Sequence, residues 1–283
     1  MVEAATPPLR VADEGEPTAG KSWRDRLSAR REHQNADLLP ARPPLAGAHV
    51  LRLAVSALLA VLAVLTLGAG LVLLLLWQED GASGVLSNQI ERAWDLTDNL
   101  RRIELIVAVA VVPLAAAWAA LATLNVRRAT ARRCNPVIAA LSIPAAAGGV
   151  WAIGASVVEP AEDWATTTGG LILQAVVIAV PMLVLERVAM AAEGPRRPLR
   201  ATYVAAVAYI VHLQTLGALS TIEATDDHER WGRLAAYLIM AALIQLVGAI
   251  AANEACRSIE DASEHRYSLR KAFGESVLLQ ADR

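Results

Sequence analysis

The sequence predicts an all-α polytopic membrane protein, a bundle of six transmembrane helices with both termini in the cytoplasm. Six stretches of the chain, each near the ~20 residues that span a bilayer as a helix, are almost free of charge. The loops between them alternate between Arg-rich and acidic. Composition agrees, because 55% of the 283 residues are hydrophobic and only 19% are charged. Continuous apolar runs of this length indicate helices and not the strands of a barrel.

Residues 1–48 are polar, charged and rich in proline. Such a segment buries too little apolar surface to offset the entropy of ordering it, so we expect a disordered cytoplasmic tail. Within it, Trp23 and Leu27 lie one helical turn apart among arginines. That piece would suit a short helix lying on an anionic leaflet, and a solvated tail is the alternative.

The membrane domain is predicted over residues 49–253. Each of its uncharged windows is close to the length that about 30 Å of hydrocarbon requires. The six windows are Ala54–Leu76, Leu105–Val126, Pro136–Val158, Ala165–Leu185, Ala201–Ile222 and Leu234–Asn253.

Loop charges set the orientation, since arginines and lysines favour the cytoplasmic side. The loop between the second and third windows has four arginines and no acid, Arg127, Arg128, Arg132 and Arg133. The next loop has three acids and no base, Glu159, Glu162 and Asp163. The remaining loops fit the same solution, which places both termini in the cytoplasm.

Two further helices are predicted outside the windows. After Ser87, apolar residues recur as if on an outer-surface helix that leads into the second span; they are Ile90, Trp94, Leu96, Leu100 and Ile103. Residues 254–283 form a predicted cytoplasmic amphipathic helix, with Ile259, Ala262, Leu269, Phe273 and Val277 on one face and Gly274 as a possible break. We expect it to dock on the bundle, the membrane or a second copy.

Residues 15–22 match the phosphate-loop pattern, ending in Gly20, Lys21 and Ser22. Such a loop needs a buried parallel sheet and an acidic Mg²⁺ partner, and the short tail before the membrane has room for neither. We therefore interpret the match as coincidence, and an ATP-using activity is only a remote third hypothesis.

No catalytic or metal-binding set is evident in the sequence. The acidic run Asp226, Asp227, His228 and Glu229 lacks the spacing of a cation loop, and a solvated outer loop explains it equally well. Cys134 and Cys256 have no ligand neighbours and are interpreted as inert. We predict no enzymatic activity, no cofactor and no nucleic-acid partner.

His212 is the most informative single residue, because it falls at the middle of the fifth window. An ionisable side chain at that depth is costly and suggests function. It would share an intramembrane polar pocket with Tyr209, Gln214, Gln174 and Gln245. The alternative is a neutral histidine hydrogen-bonded between helices, which we favour because the windows contain no mid-membrane acid or arginine to pair with it.

Small residues line one side of the sixth window, namely Ala242, Gly248, Ala249 and Ala252 beside Gln245. Such a face lets another helix approach closely. We expect the lipid bilayer as the partner, with other membrane proteins or self-association through the sixth span and the C-terminal helix as a further possibility.

Around the second loop the chain reads Asn125-Val-Arg-Arg, then Arg133-Cys-Asn-Pro, with Ile143-Pro144 in the next window. This resembles a group of uncharacterised actinobacterial multi-pass membrane proteins. Their second span ends in an Asn/Arg-rich loop followed by a Pro-containing apolar segment. The resemblance implies a bacterial plasma membrane and no known activity.

The sequence therefore favours a non-enzymatic interaction or scaffold protein. The alternative is a permease or channel for a small solute with a polar pocket around His212. The surroundings of His212 discriminate the two, because a water-filled cavity favours transport and dry packing favours a scaffold.

Overall fold

The computed structural model describes residues 43–83, 87–130, 132–156, 164–216 and 227–281. Within these ranges all regular structure is helical, which confirms the all-α prediction. The six α-helices are α1 (Ala48–Ser83), α2 (Ser87–Thr130), α3 (Pro136–Ser156), α4 (Trp164–Ala192), α5 (Arg197–Val211) and α6 (Asp227–Ala281). A π-helical turn, His212–Leu216, continues α5.

Five of these helices, α1, α2, α3, α4 and α6, are long and apolar enough to cross a membrane. The protein is thus a multi-pass membrane protein. The predicted fifth span is described as far as Leu216, and it consists of the end of α5, a 15-residue α-helix that begins at Arg197, and the five-residue π turn. No described helix there reaches the length of a full span, so the sixth crossing stays a prediction.

Helix α6 packs against four other helices of the bundle, α1, α2, α4 and α5. It runs antiparallel to α1, with the Ser56 hydroxyl donating to the Asn253 Oδ1 at 3.1 Å and Gly70 opposite Ile239. A Cβ on Gly70 would lie 3.0 Å from Cγ1 and 3.1 Å from the backbone nitrogen of Ile239. The absence of a side chain at Gly70 therefore lets the two helices touch.

Helix α2 is displaced along α1 relative to the sequence windows. The side chain of Asn125 exchanges hydrogen bonds with the backbone of Leu45, and Glu104 lies beside Thr66. Thr66, in the middle of the first window, is therefore level with Glu104, the residue just before the second window. Because of this displacement, the stretch predicted as an outer-surface helix is the first part of α2 and lies against α1 and α6.

That first part of α2 contributes to one of two apolar cores. Ile90 and Leu100 pack on a buried cluster that includes Leu73 and Trp231, and Trp94 meets Trp231 edge to face at 5.2 Å. Leu96 and Ile103, in contrast, are exposed. The amphipathic pattern thus predicted the packing of Ile90 and Leu100 but not that of Leu96 and Ile103, and the packing partners are helices.

The second core lies at the other end of the bundle, which we call the basic end because it carries Arg127, Arg132, Arg133, Arg197 and Arg200. Its largest members are Trp118, Val126, Leu185, Leu199 and Ile259. Ile259 belongs to the part of α6 that extends beyond the sixth window. This extension therefore docks on the bundle itself, and helix α6 continues through Gly274 to Ala281.

Local sequence explains where the helices begin and end at the basic end. Asn135 accepts a hydrogen bond from the Val137 amide at 3.0 Å and is followed by Pro136, a combination that starts α3. Helix α4 ends at Ala192 and is followed by Glu193, whose φ of 59° is left-handed, while the Gly194 amide donates to Ala189 O at 2.9 Å. The Glu193 carboxylate pairs with Arg132 and Arg266, which anchors this turn to the neighbouring segments.

Both ends of the described chain lie at the basic end. Leu45, just before α1, contacts Asn125, and Arg270 near the end of α6 donates to Ala129 O at 2.9 Å. Most of the predicted tail lies outside the described residues, including the phosphate-loop match at residues 15–22 and the Trp23 segment. So do Asp226 and most of the loop between the third and fourth windows.

Candidate functional site

Four helices bring polar side chains together in the middle of the bundle. The Thr66 hydroxyl of α1 lies 2.9 Å from Oε1 of Glu104 on α2 and 2.9 Å from Oε1 of Gln245 on α6. The Gln245 Nε2 donates to the Tyr209 hydroxyl of α5 at 2.7 Å, and it lies 3.5 Å from Glu104 Oε1. We call these four residues the central cluster.

The depth of the central cluster follows from its two best-placed members. Thr66 lies near the middle of the predicted first span and Gln245 near the middle of the sixth, and both belong to helices long enough to cross. The half-buried Glu104 carboxyl is therefore level with the middle of the apolar windows of α1 and α6, although on α2 it lies just before the apolar window. An ionisable group at that depth is costly and marks a functional site by default.

Small residues and helix register position the cluster. Gly248 of α6 faces Ala205 of α5, where a Cβ would lie 3.5 Å from the alanine methyl group. This close approach brings Tyr209, one turn further along α5, onto Gln245. The small-residue face of the sixth span is thus used inside the bundle, where Ala242 and Ala249 are buried.

His212 lies one turn beyond Tyr209 and is buried. Its Nε2 is 2.9 Å from the Tyr237 backbone carbonyl, and its ring stacks on the Tyr237 ring with a centroid distance of 4.7 Å. Because a carbonyl only accepts, Nε2 carries the proton. These contacts join the π turn that continues α5 to α6.

Gln214 and Gln174 form a third group. Gln214 Nε2 donates to Gln174 Oε1 at 2.6 Å, and Gln174 Nε2 donates to Val150 O at 3.3 Å, which links the π turn to α4 and α3. Gly154 of α3 leaves room for the Gln174 amide, since a Cβ there would lie 3.4 Å from Nε2. The Gln214 Oε1 is buried and has no hydrogen-bond partner among the described atoms.

The five residues predicted to share one pocket thus belong to three hydrogen-bonded groups. Tyr209 and Gln245 meet in the central cluster, Gln214 and Gln174 meet between the π turn and α4, and His212 bonds to the backbone of α6. Sequence reasoning missed Glu104 and Thr66. Thr66 was visible as a hydroxyl inside the first window, but Glu104 falls one residue before the second window and looked like part of a loop.

A second polar cluster lies at the basic end. Arg52 Nε is 3.2 Å from Glu260 Oε2, and both side chains are about nine-tenths buried. Trp118 Nε1 donates to Glu260 Oε1 at 2.9 Å, and Arg52 donates to His49 Nδ1 at 2.6 Å. This buried ion pair connects α1, α2 and the extension of α6, so its evident role is to hold these helices together.

A cavity of about 160 Å³ lies between α4 and α5 near the basic end. Its wall is mostly apolar and includes Met182, Leu183 and Leu199, with the Glu186–Arg200 ion pair of 3.0 Å at its polar edge. None of the five predicted pocket residues lines this cavity. It is therefore separate from the central cluster.

The remaining candidates have ordinary surroundings. Burial raises the pKa of the Cys134 thiol, although Arg132 and Arg127 act in the opposite direction, so the thiol is protonated at neutral pH and a poor nucleophile. From the acidic run, Glu229 pairs with Arg233 and the His228 ring stacks on Trp77 at 5.4 Å.

Comparison with known proteins finds no match to any family model, to any curated protein or to any solved structure.

Proposed function

We propose that this protein is a non-enzymatic permease for a small solute, with six spans, both termini cytoplasmic, in the plasma membrane of a bacterium. Support for the orientation comes from the alternating loop charges. The bacterial source rests on the resemblance around Asn125 and Pro136. Sequence reasoning favoured a scaffold because it saw no acid at mid-membrane depth, and the position of Glu104 removes that reason.

The Glu104 carboxyl is the single observation that carries this proposal. It lies within hydrogen-bond distance of Thr66 and at 3.5 Å from Gln245, in the middle of the bundle. A scaffold gains little from a carboxyl there, since apolar side chains pack a bundle at lower cost. A permease, in contrast, needs a polar group at the midplane to bind its solute or coupling ion.

The test is solute flux into proteoliposomes that contain the purified full-length protein. Swelling is followed by light scattering in a series of small solutes, namely glycerol, urea, glycine and alanine, with and without an imposed pH gradient. We expect flux of at least one solute in wild type and its loss in Glu104→Gln. Glu91→Gln is the matched control, because Glu91 is an exposed glutamate on the same helix. Flux that is equal in all three proteins would contradict the proposal.

An interaction or scaffold protein is the second candidate, and one observation favours it. The polar residues predicted to line a pocket bond directly to one another or to backbone carbonyls. Direct pairing of this kind also serves as interhelical packing. A wild-type protein that carries no flux but co-purifies with one stoichiometric membrane partner in mild detergent would support this candidate.

A further inference from the structure

The oxygen atoms of the central cluster need either a proton on Glu104 or a half-turn of the Gln245 amide to complete their hydrogen bonds. The Thr66 Oγ1 lies within 3.0 Å of three oxygen atoms, those of Leu62 O, Glu104 Oε1 and Gln245 Oε1. A hydroxyl has one hydrogen and can donate to only one of them at a time. If Glu104 were ionised in this arrangement, Thr66 could not satisfy both the carboxylate and the amide oxygen of Gln245.

A proton on Glu104 resolves the conflict. The Glu104 carboxylic acid then donates to Thr66 Oγ1, the Thr66 hydroxyl donates to Gln245 Oε1, and Gln245 Nε2 donates to the Tyr209 oxygen. Each of these three contacts is 2.9 Å or shorter. With the Gln245 amide in this orientation, the hydrogen bonds are those of the neutral acid.

The same four side chains also suit the ionised carboxylate once the Gln245 amide rotates by half a turn. The Tyr209 hydroxyl then donates to the Gln245 oxygen, the Gln245 amide donates to Thr66, and Thr66 donates to the carboxylate. The amide N and O have nearly the same size and exchange places without moving the helices. The hydrogen-bond chain therefore has two directions, one for each protonation state of Glu104.

We infer that Glu104 is a proton-binding site whose hydrogen-bond chain through Thr66, Gln245 and Tyr209 reverses direction when the proton binds. The inference deepens the proposed function by naming the coupling ion, and it rests on that proposal only for the role of the proton in transport. In the binding step a proton passes from hydronium to the carboxylate, so that one O–H bond forms on Glu104, one breaks in the hydronium ion, and a water molecule is left.

The charged and titratable groups around the site are few. On α5 and α6, Tyr209 and Tyr237 are the titratable groups that lie close enough to interact electrostatically with Glu104. On α2 itself, Arg101 acts on Tyr237, while Arg102 pairs with Asp98 at 2.7 Å. The facing part of α1, residues 62–70, contains no titratable side chain.

Infrared difference spectroscopy of full-length protein in lipid nanodiscs tests the inference directly. The carbonyl stretch of a protonated carboxylic acid is separate from the carboxylate bands, so a titration from acidic to alkaline pH follows the proton itself. We expect wild type to show a buried-acid band that disappears at alkaline pH. Glu104→Gln should lose this band, and Glu91→Gln should keep it.

A pair of variants at Thr66 tests the chain and covers the case in which Glu104→Gln fails to fold. Thr66→Val keeps the shape but removes the hydroxyl, so the acid band should shift as the carboxyl loses its partner. Thr66→Ser keeps the hydroxyl and should leave the band in place. A wild-type protein without any such band would overturn the inference, and so would a band that neither Glu104→Gln nor Thr66→Val changes. Because the measurement needs no solute, a titrating band without flux would reject the permease and retain the proton site.

Discussion

The residues that matter most in this bundle are ionisable groups whose partners come from other helices. His212 differs from Glu104 in one respect that separates their roles. The histidine donates to a main-chain carbonyl and stacks on Tyr237, whereas the carboxyl faces a hydroxyl and an amide side chain. A main-chain partner cannot change its hydrogen-bond polarity, but side-chain partners can. Hence we propose that His212 holds two helices together and that Glu104 is the group that acts in transport.

The variants His212→Gln and His212→Leu test that assignment. Glutamine can still donate to Tyr237 O, so His212→Gln should keep both fold and flux. Leucine leaves the carbonyl without this donor and should lower the free energy of unfolding by about 0.6–2 kcal/mol, the range for interhelical hydrogen bonds in membranes. Thermal unfolding in detergent, run beside the swelling assay, measures both. A stable His212→Gln protein that has lost flux would move the active group from Glu104 to His212.

The buried ion pair at the basic end allows a second test. Glu260→Ala leaves Arg52 buried without its carboxylate and Trp118 without its acceptor, and should destabilise the protein by on the order of 3 kcal/mol. Replacing both partners, as in Arg52→Leu with Glu260→Leu, should recover most of that loss, because no unpaired charge remains. Arg257→Ala, which removes an exposed pair with Asp261, is the control and should change stability little. A double variant no more stable than Glu260→Ala would contradict this account.

Whole helices in this protein are positioned by small residues at their crossings. Gly70 admits Ile239 between α1 and α6, Gly149 admits Val177 between α3 and α4, and Gly232 admits the Trp77 ring. These contacts fix the depth of each helix against its neighbour. The depth in turn decides which polar residues face each other, so that Glu104 meets Thr66.

Gly70→Ala and Gly148→Ala are a matched pair of variants that test whether a small residue is needed at a helix crossing. Both replace a helical glycine and gain the same intrinsic helix propensity, about 1 kcal/mol. The new methyl group at Gly70 would meet the Ile239 backbone at 3.1 Å, whereas the one at Gly148 would meet nothing within 4 Å. Gly70→Ala should therefore be less stable than Gly148→Ala by about 1–3 kcal/mol. Equal unfolding temperatures would show that the α1–α6 crossing tolerates a side chain.

The whole molecule carries its charge asymmetrically. The described loops and chain ends at the basic end are rich in arginine, and the opposite end has an aromatic group of Trp77, Trp94 and Trp231. Aromatic rings of this kind favour the membrane–water interface. The two ends of the bundle therefore suit opposite membrane surfaces, and the loop charges predict the basic end on the cytoplasmic side.

Cysteine labelling from outside intact cells tests this orientation. Cys134 and Cys256 are first replaced by serine. Single cysteines are then placed at two exposed positions, Gln78 and His265, so that no arginine or lysine is removed from the loops that set the orientation. We expect an impermeant thiol reagent to modify the Gln78 probe and to spare the one at His265. Both probes should react after the membrane is permeabilised. Labelling of the His265 probe in intact cells would reverse the predicted topology.

The sequence by itself determined the class of this protein and most of its elements. Apolar runs of about 20 residues leave the helix as the only economical structure, so five predicted spans reappear as long apolar helices. The amphipathic pattern after Asn253 also predicted a helix, because helical periodicity is a local property. Likewise, Asn135 and Pro136 mark the start of α3 through local capping alone.

Only the tertiary structure decided which polar groups meet. Glu104 lies before the second window, and its depth depends on how far α2 is displaced along α1, which in turn depends on contacts such as Asn125 with Leu45. That displacement results from packing between residues far apart in the chain, and hydropathy along one segment contains no information about it. For the same reason the five residues expected in one pocket belong to three groups, because each side chain faces whichever helix the register brings beside it.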